Sequence, residues 1–132
     1  MVLRAPGPNT IRVMTSSTPI TQVFGLEKDR TTRAAIRFFK ERRVEYSFVD
    51  LRRRPIAAAE LRRFVARLGA EACADTTGDA WRDAGLGYLR MTDDELMTKL
   101  LADVRLLRLP LVRHGTDVSA GRAEPTWKEW FR

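Results

Sequence analysis

Three observations on the 132-residue chain predict an α/β fold with a mixed β-sheet and flanking helices. A β-branched strand runs through a polar loop into an amphipathic helix and a second strand. A helical stretch follows, and the chain closes on a period-two pair of strands and a short aromatic helix. The order is therefore β-α-β, helical insertion, β-β-α. With 44% apolar residues, this length supports one compact domain with a real core. We expect that domain to span residues 21–132, with the helical insert at about 56–107. Met1 to Ile20, with Pro6, Pro8, Pro19 and a Ser/Thr run, reads as a disordered or loosely ordered lead-in. Within it, Ile11 to Met14 has the composition of a short strand.

Thr21 to Leu26 is rich in β-branched and aromatic residues and reads as a buried strand. In the next segment Ala35, Phe38 and Phe39 fall at i, i+3 and i+4 while Arg33, Arg37, Lys40 and Arg43 take the outer face, which predicts a helix ending near Arg43. Glu45 to Leu51 alternates in part and reads as the second strand, closed by Arg52-Arg53-Arg54-Pro55. A β-α-β unit favours parallel strands and a right-handed crossover. Leu61, Phe64, Val65 and Leu68 then repeat at helical spacing, with Gly69 as the stop.

Ala70 to Arg90 is loop-rich, with Trp81, Leu86 and Tyr88 as expected anchors into the core. Thr92-Asp93-Asp94-Glu95 is a capping box that opens a helix carrying Leu96, Met97, Leu100, Leu101, Val104 and Leu107 toward the sheet. The spacing of Leu109 to His114, Gly115-Thr116-Asp117 and Val118 to Gly121 fits a hairpin. Pro110 lacks an N–H for the ladder and belongs at an edge or in a special, cis bond. Pro125 to Phe131 is expected as a short helix docked by Trp127, Trp130 and Phe131.

The chain carries 24 basic and 17 acidic residues, a net charge of +7, and 20 of the bases are arginine. Such a surplus suits nucleic acid, acidic protein surfaces or small anions, but the charges are spread along the whole chain, which favours a solvated arginine-rich surface over direct nucleic-acid binding. The single cysteine, Cys73, rules out an internal disulfide, and no run reaches the length of a membrane span or resembles a signal peptide. A cytoplasmic location is the expectation.

Chemistry concentrates at the turn from Phe24-Gly25 into the first helix, where backbone N–H groups and the positive end of the helix dipole face the loop. That geometry suits an anion or an anionic side chain. Asp29 stands there and reads either as a helix cap bonding Thr31 or Thr32, the plainer reading, or as a functional carboxylate. An aspartyl-phosphate nucleophile lacks nearby metal-binding acids. Arg30, Thr31, Thr32 and Arg122 form a candidate anion-binding set, with Lys28 and Arg33 crowding the same loop. Cys73, in an Ala-rich segment, reads as packing, with a relocated thiol as the sharper alternative. His114 beside the Gly115 turn is expected to be exposed, and no metal-ligand spacing or cofactor motif occurs.

From about Thr21 onward the chain resembles the arsenate reductase family of the thioredoxin-like superfamily, which includes Spx-type transcription regulators. Gly25, Thr31 and Ala35 match the family's Gly-x-x-x-Cys-x-Thr-x-x-Lys-Ala loop. Met91 to Met97 resembles its acidic helix start, Pro110-Leu111-Val112 its proline strand, and Gly121-Arg122 the Gly-Arg after its hairpin. The resemblance implies a thioredoxin-like sheet and glutathione- or glutaredoxin-dependent reduction of an oxyanion. From the Spx-type members it implies contact with the RNA polymerase α subunit. The departures bear on activity. Asp29 stands at the family's nucleophilic cysteine, Leu109 at its arginine before the proline, and Asp29 and Thr32 at the paired cysteines of Spx-type regulators. Arg108 is one residue from that arginine position, and strand alternation places it on the opposite side. By position Arg122 is the arginine that matches. These features point to a family member that acts by binding, with reduction through Cys73 or an external thiol as the alternative.

Overall fold

The computed structural model describes residues 19–132. The expected lead-in, apart from Pro19 and Ile20, and the expected strand Ile11 to Met14 lie outside the described residues. Strand β1 (Thr21–Gly25) leads to helix α1 (Arg30–Glu41) and strand β2 (Ser47–Asp50). Helices α2 (Ala58–Leu68), α3 (Asp79–Asp83) and α4 (Asp93–Ala102) follow, separated by short 3₁₀ turns. Strands β3 (Leu111–His114) and β4 (Asp117–Ala120) and helix α5 (Glu124–Trp130) complete the order. The sheet runs β2-β1-β3-β4, parallel between β1 and β2 and antiparallel elsewhere. This is the mixed α/β architecture that the sequence predicts.

Register decides which residues reach which core, because side chains alternate faces along a strand. Val23 pairs with Val112 and Phe24 with Leu111. The first pair joins Ala35, Phe38, Phe39 and Trp127 beneath α1 and α5. The second joins Leu61, Phe64, Leu96, Met97 and Leu100 beneath α2 and α4. Two cores thus sit on opposite faces of one thin sheet. Trp127 is fully buried, edge-on to Phe38 at 5.4 Å between centroids, and donates its indole N–H to Ser119 Oγ at 2.9 Å.

Several local expectations are corrected. The first helix stops at Glu41, and Arg43 turns the chain in the left-handed region at φ 57°. Helix α4 ends at Ala102, where Asp103 Oδ1 accepts the Arg105 N–H and starts a separate 3₁₀ turn over Val104–Leu106. Leu107 is buried from that irregular stretch and not from the helix. Leu86 is an anchor as expected, but Tyr88 is 94% exposed. A tight 3₁₀ turn spans Leu86–Tyr88, so the two side chains diverge. His114 is half-buried instead of exposed, stacked on Trp130 and edge-on to Phe131, with Nδ1 2.9 Å from Thr21 Oγ1. The capping box of Thr92 and Glu95 and the cis bond at Leu109-Pro110 are present. Among the described residues, no helix is long and apolar enough to cross a membrane.

Candidate ligand site at the head of the first helix

Strand β1 delivers the chain to a loop whose geometry rests on one glycine. A Cβ at Gly25 would fall 2.7 Å from Thr32 Cγ2, so only glycine lets the strand end lie directly against the first turn of α1. Asp29 is the N-cap. Its Oδ2 accepts from the Thr32 N–H at 2.8 Å and from the Thr32 hydroxyl at 2.7 Å. The Thr31 hydroxyl lies 2.6 Å from the same oxygen and 2.7 Å from the Leu109 carbonyl oxygen, so its one proton serves one acceptor at a time. Through Thr31 the head of α1 is joined to the segment that precedes buried Pro110.

Beside this junction lies a cavity of about 440 Å³. Leu26, Asp29 and Thr31 form one wall, Arg105 to Leu109 (except Leu106) a second, and Ala120, Gly121 and Arg122 a third, with Asp75 and Val104 completing it. Of the expected anion-binding set, Thr31 and Arg122 reach the cavity. Arg30 is exposed and does not line it, and Thr32 is fully buried under the cap. Arg122 donates from Nε to Glu124 Oε2 at 2.7 Å, and Arg105 grips Asp103 with Nε at 3.0 Å and Nη2 at 2.8 Å. The hydrogen bonds from Arg105 hold the Asp103 carboxyl below the usual carboxylate range.

Arg108 is the residue that sequence reasoning set aside. Alternation would aim it away from Leu109, but regular strand begins only at Leu111, and both residues line the cavity. Its stem lies over Gly121, where a Cβ would meet Cγ and Cδ at 2.9 Å. Gly121, at φ 73°, thus leaves the groove in which Arg108 rests. Among the described residues Arg108 has no carboxylate partner within ion-pair distance, unlike Arg105 and Arg122. The signal was the Gly-Arg pair after the hairpin, read for its arginine when its glycine mattered as much.

Cys73 lies in the core beneath α2 and α4. Burial, with the charge of Asp93, pushes its thiol up to about 11, so almost none is thiolate at neutral pH. Among the described residues no group of three His, Cys, Asp or Glu is placed to hold a metal ion.

The ArsC family model matches residues 24–130, from the end of β1 through the capped helix, the helices α2 to α4 and the hairpin. The chain belongs to the ArsC family. Solved ArsC-like structures share its fold. The YFFB protein superposes at a TM-score of 0.77 with 19% identity, covering 83% of this chain and 96% of its own. Arsenate reductase from Vibrio cholerae gives 0.74 with 16% identity over 86% and 98%. A possible arsenate reductase from Streptococcus mutans gives 0.72 with 19% identity over 86% and 99%. At these identities the likeness establishes the thioredoxin-like fold of this ArsC-family chain. No curated protein sequence matches it.

Proposed function

We propose that this ArsC-family protein works by binding an anionic ligand or partner group in the cavity beside α1, and not by thiol catalysis. The observation that carries this reading is the place of Asp29. A helix head that would stabilise a thiolate or an oxyanion instead holds a fixed carboxylate, already engaged by the Thr32 N–H and hydroxyl. A carboxylate forms neither a disulfide nor an arsenic–sulfur bond. The one cysteine is buried and protonated. Besides Asp29 and Asp75 the cavity lining carries three arginines, with Arg108 open to a ligand and Arg105 and Arg122 each held by its own acid. An anionic group therefore sits toward Arg108, displaced from the helix head.

Two assays test the reading. Arsenate reduction with glutathione and glutaredoxin should be undetectable for the wild type, and turnover abolished by Cys73→Ser would overturn the proposal in favour of a reductase. Thermal unfolding followed during titration with phosphate, sulfate and arsenate should show stabilisation at millimolar ligand, since any ligand of the native state raises its stability. Arg108→Gln should remove that shift. A wild-type midpoint indifferent to all three anions sinks the anion-binding half of the proposal.

A further inference from the structure

Lys and Arg are dispersed along the sequence, but the fold gathers some of them. Arg30, Arg33, Arg37 and Lys40 stand at i, i+3, i+7 and i+10 of α1, all exposed, on the face opposite Ala34, Ala35, Phe38 and Phe39. At about 1.5 Å rise per residue this is a straight row some 15 Å long. Just past its end Arg42 and Arg43 are exposed as well, with the Arg42 guanidinium 3.8 Å above the Phe38 ring centroid.

Two features mark this row as a continuous basic face. First, every neighbouring pair within it is like-charged, and apart from the N-cap Asp29, whose carboxylate is engaged by Thr32, no acid stands in the first turn. Like charges at these spacings weaken the helix. Second, the six cations are gathered on one element and its end, and among the described residues none of them has a carboxylate within ion-pair distance, whereas the other unpaired bases, such as Arg52, Arg62 and Arg90, are scattered over separate elements. Glu27, Asp29, Glu41 and Glu45 are nearest in sequence and make no such pair, and residues 1–18 contain no Asp or Glu. Bases gathered along one helix face with no acid among them form the electrostatic footprint of a surface that meets a polyanion.

We infer that the outer face of α1 binds the phosphate backbone of nucleic acid, independently of the cavity beside Asp29. The choice over an acidic protein rests on what the row lacks. Protein interfaces are anchored by apolar and aromatic residues at their centre. Among the described residues the exposed large hydrophobics are Ile20, Tyr88 and Leu89, none of them on α1. A row of guanidinium and ammonium groups without an apolar anchor suits phosphate contact, which needs charge and spacing and carries no base readout.

The test is fluorescence anisotropy with a labelled DNA duplex of about 20 base pairs and an RNA duplex of equal length, at salt from about 50 to 200 mM. With four phosphate contacts, log K against log salt should fall with a slope of about −3.6 on DNA. Arg30→Gln/Arg33→Gln/Arg37→Gln/Lys40→Gln should flatten that slope and weaken binding at the lowest salt by about a hundredfold. Arg52→Gln/Arg54→Gln/Arg62→Gln/Arg90→Gln removes the same net charge from exposed positions elsewhere and should change affinity by less than about threefold. Should the fourfold α1 variant fail to fold, Arg33→Gln/Arg37→Gln alone should lower the slope by about two. Binding of either duplex with this dependence supports the inference. No binding to either, equal loss in the two fourfold variants, or equally tight α1-dependent binding of polyglutamate overturns it.

Discussion

A carboxylate at the head of a helix satisfies orphan N–H groups and neutralises the dipole at once, and Asp29 does both. Asp29→Ala leaves the Thr32 N–H without its acceptor and should cost about 1–2 kcal/mol in urea unfolding, with Asp29→Asn losing less because an acceptor remains. A destabilisation no larger for Ala than for Asn would show that the cap is not what holds this turn. The cap was legible in the sequence because its partners lie within three residues. Arg108 was not, because its direction depends on Gly121 across the hairpin and on the irregular backbone before Leu111. The burial of Cys73 was half legible: its Ala-rich surroundings suggested packing, but the depth of that packing comes from α2 and α4 closing over it.

At the scale of elements, α1 and α5 share one face of the sheet and depend on each other. Trp127 fills the space between Phe38 and Phe39 and is tied to β4 through Ser119. Trp127→Phe removes the indole donor and leaves the buried Ser119 oxygen without it, so a loss of about 1–3 kcal/mol is expected. A double-mutant cycle with Ser119→Ala should show coupling, and strict additivity would mean that the hydrogen bond contributes nothing. The α1 periodicity and the Thr92 capping box were readable because helices declare themselves through local repetition and caps. The end of α4 was misplaced since the apolar pattern continued through Val104 and Leu107, while Asp103 broke the helix by bonding Arg105.

For the molecule as a whole, pH dependence near neutrality falls to one residue. His114 touches β1 through Thr21 and α5 through Trp130 and Phe131. Burial lowers its pKa below the ordinary value, with Asp117 opposing in part. The folded chain therefore takes up this proton less readily than the unfolded chain. Its stability contribution is complete above about pH 6.5 and declines as pH falls through the folded value. Thermal midpoints between about pH 7.5 and 5.5 should drop on acidification, and His114→Gln should flatten the curve. An identical pH profile in that variant would assign the effect elsewhere. The sequence placed His114 correctly at the turn, but its burial depends on the return of α5, which no local pattern announces.

The register of the sheet also bears on how fast the chain finds its fold. The central pair, β1 with β3, brings together residues such as Thr21 and His114 that are 93 positions apart. Neither apolar layer closes until that pair forms, so the entropy of a long loop is lost before most contacts compensate it. Helices that assemble early wait on a strand pairing made late. With five α-helices among its described residues, the chain is thus expected to fold with the tempo of its sheet and not of its helices.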